Sequence, residues 1–184
     1  MRDPERYAQR VIELHGGHDR FFQVMEERLE EFNRLWRHDS ENIGRVLHAH
    51  LATEHFLSGY LVERNPGLGS LESARLSFHQ KIELLPDDEL DVSFLKPGLR
   101  QLNQIRNRVA HNLRVDVTQE DRSAFLGIQM FAAMRKESAK VEGVKADDPL
   151  SVLWQFAMFA ASLLHVGSNP DRDLWRQAAE TDDN

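Results

Sequence analysis

Cysteine is absent from the 184 residues. That excludes a disulfide framework, a thiolate nucleophile and any cysteine-ligated metal, and it suits a reducing compartment. Glycine and proline are scarce, at 10 and 6, and they fall between periodic runs rather than inside them. No alternating apolar and polar stretch is long enough to argue for strands, and no fixed-period repeat occurs. A G-x-S-x-G elbow, a glycine-rich phosphate loop and an H-E-x-x-H pair are all missing, which disfavours hydrolase triads, P-loop nucleotidases and zinc proteases. A basic excess is missing as well: Lys plus Arg is 23 against 30 for Asp plus Glu, a net charge of −7. Proteins that coat nucleic acid indiscriminately are basic overall, so only a local basic surface would serve that purpose here. The N-terminal MRDPERYAQRVIELHGG has no apolar run and does not read as a secretory signal. The most apolar segment, Pro149 to Val166, contains Ser151, Gln155, Ser162 and His165. It falls short of the about 20 apolar residues a bilayer span needs and reads as a buried helix. The expectation is a cytoplasmic protein with no membrane contact.

The periodicity predicts an all-α chain, a helical bundle of about six to seven helices in a single domain over 1–180, with a frayed acidic tail at 181–184. Pro4 opens a helix that Gly16 and Gly17 stop. Asp19 caps a second helix to about Arg37, with Phe22, Met25, Leu29, Phe32 and Trp36 at helical spacing. Ser40 caps a third, to about Glu63. A short helix runs from Ser70 through Ser77 toward Leu85, and the next from about Phe94 to Leu113. Thr118, followed by Gln119, Glu120 and Asp121, starts a helix to about Lys140. Asp148 and Pro149 start the apolar helix, and Pro170 to Ala179 adds a last turn or two. Apolar residues cover nearly the whole circumference of the Pro149 helix. A helix of that kind is buried on all sides, which in a chain this small points either to a central core helix or to one shared with a second subunit, and a homodimer is the favoured expectation.

The segment Leu95 to Arg114 carries Lys96, Arg100, Arg106, Arg108 and Arg114 and no acid. A basic island in an acidic chain is a focused field. At 3.6 residues per turn, Leu95, Leu99, Leu102, Ile105, Val109 and Leu113 form a core stripe. Arg100, Asn103, Asn107, His111 and Arg114 form a second, donor-rich stripe fit to receive a phosphodiester. His111 is of the residue type that titrates near neutrality. Arg106 falls within the apolar stripe, where a guanidinium needs a partner. Glu54, with His50 on the same face of the third helix, is the expected neutraliser, and such a pair would equally serve a purely architectural role.

Arg106-Asn107-Arg108-Val109-Ala110-His111 resembles the R-N-x-x-x-H motif of the HEPN superfamily (higher eukaryotes and prokaryotes nucleotide-binding). Leu68 to Phe78 is similar to the segment before that motif in the mannitol operon repressor family, a HEPN-like branch. The resemblance covers roughly residues 40–111. It implies a HEPN-like bundle, often homodimeric, and a metal-independent endoribonuclease of the toxin or defence type. Arg106 and His111 would be the catalytic pair and Asn107 would position or polarise. Arg100, Asn103, Arg108 and Arg114 would contact substrate, with Glu54 and His50 in support. RNA brings its own nucleophile, the 2′-OH. His111 would move the proton and Arg106 would hold the phosphate, leaving a 2′,3′-cyclic phosphate with no cofactor and no metal. The implied partners are a second copy, RNA and an antitoxin such as a nucleotidyltransferase. The other reading is a noncatalytic helical regulator or adaptor, like the mannitol repressor branch, with Arg106 locked to Glu54. His50 and Glu54 are too few to make a metal site alone.

Overall fold

The computed structural model describes residues 3–37, 40–65, 67, 71, 73–87, 92–111, 116–143, 145–165 and 174. Among these residues the chain is all-helical, with eight α-helices and one 3-10 turn. Its contacts divide it into two compact units, Met1–Ser40 and Glu41–Asn184.

The first unit holds α1 (Pro4–Leu14) and α2 (His18–Arg37). The Asp3 carboxylate accepts from the Glu5 N–H, and Pro4 follows at the first helical position, where its missing N–H costs nothing. Gly16 and Gly17, at φ +89° and +102°, turn the chain through left-handed backbone that a side chain would strain. The second helix begins at His18, so Asp19 lies inside its first turn rather than capping it. The expected stripe is present, yet Phe22, Met25, Leu29 and Phe32 stand exposed.

The second unit contains α3 (Ser40–Arg64), α4 (Phe78–Glu83), a 3-10 turn at Ser93–Leu95, α5 (Lys96–His111), α6 (Gln119–Leu126), α7 (Gln129–Glu142) and α8 (Pro149–Leu164). Its core draws Leu57, Tyr60 and Leu61 from α3, Ile82 from α4, and Leu99, Leu102 and Ile105 from α5. Phe125 comes from α6, and Leu153, Phe156 and Leu164 from α8. Phe156 is central: it stacks on Phe125 at 4.9 Å and meets Phe131 edge-on at 5.5 Å.

Two expected boundaries move. The helix expected from Ser70 starts at Phe78 instead. Arg75 takes φ 51°, which breaks helical backbone, and Ser77 then forms a capping box with Gln80. The single helix expected from Thr118 to about Lys140 is two helices. Gly127 ends α6, and Ile128, at ψ 101°, is extended before α7 begins. Ile128 is buried there, so tertiary packing decides a position that periodicity alone would continue. Asp148 and Pro149 start α8 as expected, with Asp148 Oδ1 accepting from the Ser151 N–H at 3.0 Å. That helix is not apolar to its neighbours all round. Val152, Leu153, Phe156, Ala157, Ala160 and Leu164 are buried, whereas Met158 is exposed. The turn expected at 170–179 lies outside the described residues, except that residue 174 is helical.

Candidate functional site

The site is built on α5, whose inner face of Leu99, Leu102, Ile105 and Val109 is buried and fixes its rotation. That rotation decides where each basic side chain points. Lys96, itself buried, reaches Asp87 at 2.5 Å. Arg100 makes a two-pronged pair with Glu83 of α4, at 3.0 and 2.9 Å. Arg108 pairs with Asp121 of α6. Asp121 is nearly inaccessible and also accepts from Gln101, from the Thr118 N–H and from the Thr118 hydroxyl. Burial alone would push its carboxyl up, but the Arg108 hydrogen bond, the Thr118 N–H and the Arg108 charge together hold it below the ordinary range. Three of the four described cations of the basic island are therefore paired with acids from outside the segment.

Arg106 differs from these three. Among the described residues no carboxylate pairs with it, and its Nη1 donates to Asn107 Oδ1 at 3.1 Å. Arg106 is half-buried, while Asn107 and His111 are exposed. The arginine is thus not sealed within the apolar stripe, as the wheel placed it, but stands at its edge. Five positions on a helix turn the chain by about 500°, leaving Arg106 and His111 about 140° apart around α5. Asn107 lies between them, about 40° from His111. The guanidinium of Arg106 is turned to Asn107. That bond leaves the Asn107 amide N–H groups free to donate outward. Arg114 lies outside the described residues.

Glu54 serves a different cation from the one expected. Its Oε1 accepts from Lys81 Nζ of α4 at 2.7 Å, and its Oε2 lies 3.9 Å from His50 Nδ1. Lys81 therefore holds the partnership assigned to Arg106. His50 is buried against the Phe78 ring, 4.3 Å between centroids. Burial lowers its pKa; Glu54 and Asn103 raise it, and Arg106 and Lys81 lower it. Asn103 and Arg106 thus belong to the surroundings of the buried imidazole. On the same helix, His48 stacks on Trp154 and His55 meets Phe56 edge-on. No set of three or more His, Asp or Glu is placed to hold a metal ion among the described residues. No described helix is long and apolar enough to cross a membrane.

Sequence reasoning missed Lys81, Glu83 and Asp87, which set the charge state of the site. No local signal marks them, since each is paired with a residue at least nine positions away. Asp121 was legible as part of a cap, but not as the counter-ion of Arg108. Comparison with protein-family models, with curated proteins and with solved structures found no match to this chain.

Proposed function

We infer that the chain is a metal-independent endoribonuclease of HEPN type, working as a homodimer in the cytoplasm, with its site on α5. The observation that carries this reading is the contrast along that helix. Lys96, Arg100 and Arg108 are each taken by a carboxylate, while Arg106 holds only the Asn107 amide, five residues before an exposed His111. A guanidinium without a carboxylate partner is disposed to take a phosphodiester in two parallel hydrogen bonds and to stabilise the charge that develops on it. His111 serves as the base for the ribose 2′-OH or as the acid for the leaving 5′-oxygen. Attack of the 2′-oxygen on phosphorus breaks the P–O5′ bond and yields a 2′,3′-cyclic phosphate and a 5′-OH. Apolar side chains left exposed, Phe22 and Leu29 on α2, Leu51 on α3 and Met158 on α8, offer surface to a second copy. A two-subunit cleft would bring together two sets of a sparse constellation. A nuclease of this kind needs restraint, which an antitoxin such as a nucleotidyltransferase would supply.

The test is cleavage of RNA in EDTA by the wild-type chain and by H111A and R106Q. The expected result is cutting by wild type, a loss of at least about 100-fold in both variants, and a cyclic phosphate end. Equal cutting by all three, or none by any, rejects the reading. A noncatalytic regulator or adaptor is the second reading, and the neutralisation of Lys96, Arg100 and Arg108 favours it, because it weakens the field available for RNA. That reading also placed Glu54 on Arg106, whereas Glu54 pairs with Lys81.

A further inference from the structure

The first unit supplies none of the described buried core, and no residue of α1 is buried. Phe21 and Val24 of α2 are half-buried, and His15 meets Phe21 edge-on at 5.3 Å, so this is the side of α2 turned to α1. About 90° around the helix from it runs a second apolar stripe, Phe22, Met25, Leu29 and Phe32. Its spacing of 3, 4 and 3 gives the a and d positions of a heptad, and Trp36 continues it by one step of 4 in the sequence. These four side chains are 61%, 37%, 56% and 56% exposed. At about 150–250 Å² for a large apolar side chain, that is on the order of 400 Å² of apolar surface along one helix. A specific interface of standard size buries about 800 Å² per partner, somewhat more than half of it apolar. The stripe matches the apolar share of one such side.

We propose that the α1–α2 hairpin is the dimerisation element of this chain, and that the α2 stripe is covered by α2 of a second copy laid parallel to it. The proposal rests on the homodimer of the proposed function and names the surface that forms it. A heptad stripe is filled by another of the same period, because each a or d side chain needs a hole made by four residues of the facing helix. Charge chooses the orientation. Glu26 and Asn33 flank the stripe on one side, Phe21 and Arg28 on the other. In a parallel pair each flank meets the opposite flank of the other helix. Arg28 then lies opposite Asn33 and Phe21 opposite Glu26, so no like charges meet. An antiparallel pair with Phe22 over Phe32 sets Glu26 against Glu26 and Arg28 against Arg28, which costs affinity. Two helices of this length bury too little to hold themselves firmly, and pairing supplies the apolar burial that the hairpin lacks.

The chain has no cysteine, so a single introduced thiol can pair only with its counterpart in another copy. Leu29→Cys tests the stripe and E27C the opposite side of α2. L51C and M158C test the exposed apolar residues of α3 and α8. Under mild oxidation of the full chain at micromolar concentration, L29C is expected to form a disulfide-linked dimer at least about 10-fold faster than the other three, because pairing raises the effective thiol concentration. In sedimentation, L29E is expected to lose the double mass and L51E to keep it. Linking of L29C no faster than E27C, or a double mass retained in L29E, overturns the proposal. Should L29E fail to fold, the linking rates decide alone. A double mass in wild type with fast linking at L51C or M158C instead ends this inference and leaves the homodimer standing. A single-chain mass in wild type ends the homodimer reading, and this inference with it.

Discussion

Gly98 lies beneath Phe156, where a Cβ would stand 2.2 Å from the ring Cζ and 2.6 Å from Ile128 Cδ1. Neither neighbour has a loose end to give way, because both are buried. The absence of one carbon is what lets α5 approach the centre of the core. G98A is therefore expected to lose about 1–3 kcal/mol through overpacking, read as a lower urea midpoint at unchanged slope. His50 gives a second residue-scale prediction. Burial first, then Arg106 and Lys81, lower its pKa in the folded chain. The unfolded chain therefore binds the proton more readily, and stability rises with pH across the window below the ordinary value of 6.5. Falling pH through that window destabilises the fold. Melting temperatures at pH 7.5 and pH 5.5 should diverge more in wild type than in H50L. Equal divergence would remove His50 as the cause.

Helices show what the sequence could and could not disclose. The starts at Pro4 and Pro149 and the caps at Thr118 and Asp148 were readable, because capping acts within three residues. The start at Phe78 was misplaced: Ser70 and Ser77 are the same residue type, and only the capping box with Gln80 and the turn at Arg75 distinguish them. The break between α6 and α7 is invisible to periodicity because Ile128 is extended for the sake of burial, a tertiary cause. For the site, Arg106, Asn107 and His111 could be placed on one helix from spacing, but the fate of the other cations depended on Glu83, Asp87 and Asp121, which pack against α5 from elsewhere. Two predictions belong at this level. D121A removes the counter-ion of Arg108 and the acceptor that closes the α6 cap, and is expected to cost about 2 kcal/mol. The measurement is chemical unfolding, with D121N intermediate. RNA affinity should depend weakly on salt. With Arg106 the described cation free of carboxylate on α5, log K against log salt should have a slope of magnitude about 1–2, at roughly 0.7 per phosphate contact on a single strand. A steep slope would mean that other cations bind the backbone.

At the scale of the whole chain, the second unit holds the described buried core and the first holds none of it. The all-helical class followed from scarce glycine and proline and from the 3.6-residue period, both global signals. The division into two units did not, since no proline- or glycine-rich linker marks residue 40. The proposed homodimer is checked by sedimentation, with a mass of about twice the 21.3 kDa chain expected at micromolar concentration. A single-chain mass throughout would reject the proposed two-subunit cleft.

The three ion pairs along α5 have a consequence for selectivity. A helix whose Lys96, Arg100 and Arg108 are held by carboxylates from outside it gives passing polyanions little to hold. Heparin, duplex DNA and bulk ribosomal RNA would meet an almost neutral rod. On the proposed function, grip is thereby traded for discrimination: a polymer would be retained only by engaging Arg106, the described α5 cation without a carboxylate, together with the His111 ring.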